Sequence, residues 1–140
     1  MRKLLLMFIV AQLVILNSCQ KDELSTVENL YGKWEVEKLE PKGIFKKSIW
    51  PDDFKPVVTF YEDGTMGLRL SRNGCGGNFA VSNSNDIIIE DIYCTLVCCD
   101  DEFSQKCYEL LRDVTSYSLE TQNSLKLHSG WVDIKLNRLN

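Results

Sequence analysis

The stretch Val58-Thr59-Phe60-Tyr61-Glu62-Asp63-Gly64-Thr65-Met66-Gly67-Leu68-Arg69-Leu70 decides the class of fold. Apolar residues recur at every second position on both sides of Glu62-Asp63-Gly64-Thr65, the pattern of two strands joined by a tight turn. The same period occurs in Trp34-Glu35-Val36 and in Phe79-Ala80-Val81. These repeats predict short antiparallel strands in a barrel or a sandwich.

Four more strands are predicted further along the chain. The segment from Ile87 to Ile92 is more continuously apolar, which predicts a strand covered on both faces. The last three strands show the two-residue period again, at Tyr117/Leu119, Leu125/Leu127 and Val132/Ile134/Leu136. Gln122-Asn123-Ser124 and Ser129-Gly130 supply the turns between them.

One segment has the period of an α-helix. Its apolar stripe consists of Phe103, Cys107, Leu110, Leu111 and Val114. Asp100, Asp101 and Glu102 precede the stripe, where capping and the helix dipole favour negative charge. Because a helix start explains these acids, they are not interpreted as a catalytic carboxylate cluster. The prediction is a mainly β protein with one α-helix.

The N-terminus predicts export. Arg2 and Lys3 precede an apolar run from Leu4 to Leu16, which is 13 residues long. A membrane-spanning helix needs about 20 such residues, so the run is interpreted as a transient signal. Leu16-Asn17-Ser18-Cys19 then resembles the lipobox of bacterial lipoproteins. We therefore expect a signal peptide over residues 1–18 and a covalent lipid on Cys19, with no other cofactor.

Residues 19–29 are polar and predict a short tether that follows the lipid. Lys21-Asp22-Glu23 within it resembles the surface-export signal of lipoproteins of the Bacteroidota type. The resemblance implies an outer-membrane lipoprotein displayed at the cell surface and held to the membrane by its acyl chains.

Residues 30–140 are enough for one domain, which we expect to be monomeric. The chain has 16 basic and 20 acidic residues, and removal of Arg2 and Lys3 would leave a formal charge of -6. This charge balance argues against nucleic acid as a partner, because a surface that binds nucleic acid needs clustered Lys and Arg side chains.

The order of these features resembles a META domain of the HslJ type, a family of bacterial envelope proteins. The matching segments are Leu30-Tyr31-Gly32-Lys33-Trp34, Val58-Thr59-Phe60, Asp63-Gly64, Gly74-Cys75, Phe79, Ile87-Ile88-Ile89, Thr95-Leu96-Val97-Cys98-Cys99, Phe103, Leu110-Leu111, Tyr117 and Leu125-Lys126-Leu127. Gly76 stands where the family usually has Asn. The resemblance implies an antiparallel barrel-like fold with one helix and a role in envelope stress or resistance. It brings no established catalytic residues.

A lipocalin-like barrel that binds a small apolar ligand is the alternative, because Gly32-Lys33-Trp34 also fits the Gly-x-Trp of lipocalins. Lipocalins place their helix after the last barrel strands, whereas three predicted strands follow the helix here. A core filled by Trp34, Phe60 and Phe79 would argue against this alternative.

Five cysteines remain if Cys19 carries lipid, and exported domains favour disulfides. The family resemblance places Cys99 at the second cysteine position, which implies a bond between Cys75 and Cys99. Cys98 is the runner-up for Cys75. Cys94 would then pair with Cys98 or with Cys107, although Cys107 on the helix stripe also fits a free core thiol.

No pattern for catalysis or metal binding is found. The cysteines lack the paired Cys-x2-Cys of zinc sites, and His128, the single histidine, is expected to be a solvated residue at a turn. We therefore predict no metal site and no enzyme activity.

The segment from Pro41 to Pro56 is long for a barrel connection and rich in aromatic residues. Phe45, Trp50 and Phe54 are the candidate contacts for an unknown protein partner, since Trp and Phe often anchor interfaces. The alternative is that these side chains fold over one end of the barrel and seal it.

Overall fold

The computed structural model describes residues 27–44, 46–82 and 85–140. Within these ranges, a 3-10 turn, Val27–Asn29, is followed by eight strands and one helix. The elements are β1 (Gly32–Pro41), β2 (Val57–Phe60), β3 (Thr65–Arg69), β4 (Gly74–Val81), β5 (Ile87–Cys94), α1 (Glu102–Arg112), β6 (Val114–Thr121), β7 (Ser124–Ser129) and β8 (Val132–Leu139). The predicted class, mainly β with one helix, is confirmed. The predicted signal peptide, Cys19 and most of the predicted tether lie outside the described residues.

The strands form one antiparallel sheet in the order β5-β4-β3-β2-β1-β8-β7-β6. The sheet curves until its two edge strands approach each other, where Asp86 bridges to Ser116 and the Tyr117 N–H donates to the Asn85 carbonyl at 3.0 Å. Because the chain passes from β5 to β6 through α1, these edges meet at one end only. The result is a half-barrel, and β6, β7 and β8 follow the helix as predicted.

Large apolar side chains fill the interior of the half-barrel. Trp34 and Phe60 are at most 1% exposed, and Phe79 is 8% exposed. The rings of Phe60 and Phe79 meet edge-on with centroids 4.9 Å apart. The Trp34 Nε1–H donates to the Leu30 carbonyl at 2.7 Å, which satisfies its one polar group. The space that a lipocalin-like ligand would occupy is therefore taken by side chains.

The helix closes the open side of the half-barrel with most of its predicted stripe, but the stripe ends before Val114, which is the first residue of β6. Phe103, Cys107 and Leu111 are buried. The Asp101 carboxylate caps the N-terminus by accepting the Ser104 N–H at 2.7 Å. Asp101 thus has the capping role expected from the sequence.

The prediction for the segment Ile87–Ile92 is wrong. Ile87 and Ile89 are buried, but Ile88 between them is 58% exposed. β5 is the edge strand of a sheet with one solvated face, so its side chains alternate between core and water.

Candidate functional site

The connection between β1 and β2 packs one aliphatic side chain against the core and leaves its two described aromatic side chains partly or largely exposed. Ile49 pairs with Leu39 in an isolated bridge and packs against the core. Trp50 is 55% exposed, with the Lys38 ammonium 5.0 Å from its ring centroid. Phe54 is half-buried, with the Arg69 guanidinium 5.5 Å from its ring. Phe45 lies outside the described residues. We call the side chains of Ile44, Trp50 and Phe54 the loop surface.

A shallow groove adjoins this loop surface on the outer face of β1, β2 and β3. Its volume is about 370 Å³, and its lining includes Lys33, Val57, Thr59, Tyr61, Gly67 and Arg69. These residues point outward because the alternate positions of the same strands, including Trp34, Val58 and Leu68, point into the core. The alternation in the sequence indicated which residues face outward, but it did not indicate that they form a groove.

A cluster of polar side chains extends across β6, β7 and β8. The Ser118 hydroxyl lies 3.0 Å from Nε2 of His128, and Nδ1 of His128 lies 3.0 Å from the Asp133 carboxylate. The Lys42 ammonium also pairs with Asp133 at 3.0 Å. The expectation that His128 is a solvated residue at a turn is wrong. It lies within β7, half-buried, because β7 extends to Ser129.

The order Ser118, His128, Asp133 has the connectivity of a hydrolase triad. Acyl transfer also needs free hydrogen-bond donors for an oxyanion. These residues stand on the outer face of an antiparallel ladder, where the backbone of the central strand β7, which carries His128, pairs with β6 and β8. None of the three lines the groove over β1 to β3. We interpret the cluster as a polar link between three strands.

The disulfide pairing differs from the prediction. Cys75 is bonded to Cys94, not to Cys99 or Cys98, and Cys94 is not bonded to Cys98 or Cys107. The physical reason is strand register, since Cys75 in β4 stands directly opposite Cys94 in β5 with 4.0 Å between their Cα atoms. The sulfur atoms of the adjacent Cys98 and Cys99 are joined to each other.

Cys107 is a free, buried cysteine, as its place on the apolar stripe allowed. Burial raises the pKa of its thiol to about 12, and the nearby Asp101 carboxylate acts in the same direction. A thiol with this pKa stays protonated near neutral pH and is a poor nucleophile or metal ligand.

A hydrogen-bond network fixes the loop between β5 and α1. The Asn73 side chain accepts from the Val97 N–H at 2.9 Å and the Thr95 hydroxyl at 2.8 Å. It donates to the Val97 carbonyl at 2.8 Å and to the Asp100 carboxylate at 2.6 Å. Asn73 is 9% exposed and all four bonds are local to this loop, so the network holds the exposed segment 95–99 in one conformation.

Asp100 is the charged member of that network. Burial by itself raises the pKa of its carboxyl. Hydrogen bonds from the Asn73 side chain and from the backbone of Arg72 and Asn73 outweigh that effect and hold the pKa below its usual value. Asp100 is therefore ionised under ordinary conditions and acts as an acceptor.

Within residues 27–44, 46–82 and 85–140, no three or more His, Cys, Asp or Glu side chains are grouped in a way that would hold a metal ion. The single α-helix in these ranges is too short and too polar to cross a membrane.

Comparisons with known proteins agree with this architecture. The sequence model of the META domain matches residues 25–135. The crystal structure of a DUF4847 family protein from Bacteroides vulgatus is 16% identical and superimposes with a TM-score of 0.61, over 82% of this chain and 100% of that one. A protein from Burkholderia xenovorans solved by NMR is 11% identical, with a TM-score of 0.63, over 89% of this chain and 94% of that one. At these identities the two structures show the fold alone. No curated protein matches the sequence.

Proposed function

Because the chain belongs to the META domain family, we propose that it is a lipoprotein of the outer membrane whose domain binds a protein partner at the cell surface. In this proposal Cys19 carries the lipid, residues 20–29 separate the domain from the membrane, and a monomeric domain acts without catalysis in envelope stress or resistance.

The observation that carries the binding role is the exposure of Trp50. A tryptophan that is 55% exposed leaves a large apolar area in water, and such residues often anchor protein contacts. Cation–π contacts at Lys38 and Arg69 hold Trp50 and Phe54 against the sheet, so little conformational freedom would be lost on binding.

The filled interior disfavours the lipocalin-like alternative. Trp34 and Phe60 are buried in the interior, so we do not propose a small apolar ligand inside the fold.

The anchor is tested by intact-mass analysis of protein purified from its native membrane. We expect a chain that starts at Cys19 with acyl groups attached, while an unmodified N-terminus would overturn the anchoring. Protease treatment of intact cells then tests surface display, since a domain that faces the cell interior would survive the treatment.

The contact surface is tested by cross-linking in intact cells followed by affinity purification. We expect Trp50→Ala and Phe54→Ala each to reduce recovery of the partner at least fivefold. Ile88→Ala is the matched control, because Ile88 has a similar exposed fraction of 58% on the edge strand β5. Equal recovery from all three variants would refute a role of the loop surface.

A further inference from the structure

The groove over β1, β2 and β3 differs in charge from the chain as a whole. The formal net charge of the chain is -4. Lys33 and Arg69 both line the groove, and none of the described residues that line it is acidic. The lining of the groove therefore carries two positive charges on an acidic protein, while Glu62 and Asp63 line the adjoining concavity beside Lys33.

The two groove cations lack the ion pairs that neighbouring lysines have. Across β1, β7 and β8, Lys38, Lys126 and Lys135 each lie within 4.0 Å of a glutamate. Lys33 and Arg69 form no ion pair with any carboxylate in the described part of the chain. Arg69 instead stacks on Phe54, which leaves the edge of its guanidinium free to donate hydrogen bonds.

The strand register places Lys33 and Arg69 beside the same open area of the sheet, above Thr59 and Gly67. Lys33 stands opposite Thr59, and Thr59 stands opposite Gly67. Strands lie roughly 5 Å apart, so the Cα atoms of Lys33 and Gly67 are roughly 10 Å apart, and Arg69 is roughly 7 Å further along β3. Both side chains are long enough to reach an anion placed above Thr59 and Gly67.

The area above Gly67 is open because glycine has no side chain, and neighbouring apolar residues form a wall beside it. A Cβ atom at Gly67 would lie 3.7 Å from the Tyr61 ring, in ordinary contact, so the fold does not require glycine there for lack of space. The Tyr61 ring, which is 49% exposed, supplies the flat apolar surface beside the cations, and Val57, only 6% exposed, lies at the base of the groove. A volume of about 370 Å³ is near the lower end of small-molecule sites.

We propose that this groove is a binding site for a small organic anion with a flat apolar body. Its carboxylate would lie between Lys33 and Arg69 above Thr59, and its ring would pack against Tyr61 and Val57. The site depends neither on the lipid anchor nor on a protein partner at the loop surface.

The test is an NMR titration of the ¹⁵N-labelled full-length chain with 2-naphthoate, which combines a carboxylate with a flat apolar ring. We expect saturable shifts of the Thr59, Gly67 and Arg69 amides, and weaker binding as sodium chloride is raised. Lys33→Gln and Arg69→Gln should each weaken binding about fivefold, as expected for one partly exposed charge contact. Lys106→Gln and Arg72→Gln, which remove exposed cations elsewhere, should leave the affinity unchanged.

The uncharged 2-naphthylmethanol separates charge recognition from simple apolar contact. It should bind at least tenfold more weakly than 2-naphthoate. The site would be overturned by any one of three results: equal binding of the two compounds, equal effects of the groove and control variants, or no shifts at the amides of Thr59, Gly67 and Arg69. These measurements involve neither acylation nor partner recovery, so they can fail while the proposed function stands.

Discussion

Replacement of Asn73 by alanine tests how the loop between β5 and α1 is held. The change removes two hydrogen bonds with Val97, one with Thr95 and one with Asp100. At about 1 kcal/mol for each bond, the four bonds sum to about 4 kcal/mol. Thr95 and Val97 are exposed, so water can replace part of what they lose. We therefore expect the free energy of unfolding to fall by about 2–3 kcal/mol.

The assay is urea unfolding followed by tryptophan fluorescence, since the fully buried Trp34 reports loss of the core. The urea concentration at the unfolding midpoint should fall. The slope of the unfolding free energy against urea concentration should stay constant, because the surface exposed on unfolding hardly changes. Asn78→Ala is the matched control, since Asn78 is exposed and has one long contact of 3.4 Å with Asp91. The control should lose less than about 0.5 kcal/mol. A loss below about 1 kcal/mol for Asn73→Ala, or one equal to the control, would refute the reasoning.

The other predictions concern the cysteines and the change in the free energy of unfolding at acidic pH. Peptide mapping of the unreduced protein, with chymotryptic cleavage after Leu96, should recover a peptide pair that links Cys75 to Cys94, whereas a pair that links Cys75 to Cys99 would contradict the strand register. Cys107 should react with an alkylating reagent only after the protein is unfolded. Replacing both Cys75 and Cys94 by serine should reduce the free energy of unfolding by about 3 kcal/mol, the chain-entropy value for a loop of this length. The lowered pKa of Asp100 stabilises the fold above the unfolded value of 3.8, and this contribution disappears as the pH falls through the lower folded value. The gap in unfolding free energy between wild type and Asp100→Asn should therefore shrink from pH 7 to pH 3, and a constant gap would contradict the role assigned to Asp100.

Features that depend on residues close together along the chain could be predicted from the residue pattern. The hairpin turn is one, because Gly64 adopts a positive φ of 81° and the Asp63 carboxylate accepts the Thr65 N–H at 2.9 Å. The helix is another, since its buried stripe and its Asp101 cap follow from spacing within four residues. The two-residue period likewise assigned Trp34, Phe60 and Phe79 to the core. In the turn and the helix the interacting groups lie close together along the chain, and in the strands the alternation alone indicates which face a residue occupies.

Only the tertiary structure decided which distant residues meet. Cys75 faces Cys94 because β4 and β5 align in one register, which includes a bulge between Gly76 and Asn78 that the residue pattern does not reveal. Ser118, His128 and Asp133 converge because three consecutive strands align side by side. The groove likewise needs β1, β2 and β3 at a fixed offset to bring Lys33 and Arg69 around Gly67. Register is set by the summed packing of whole strands, so a local pattern indicates which face a residue occupies but not which partner stands opposite.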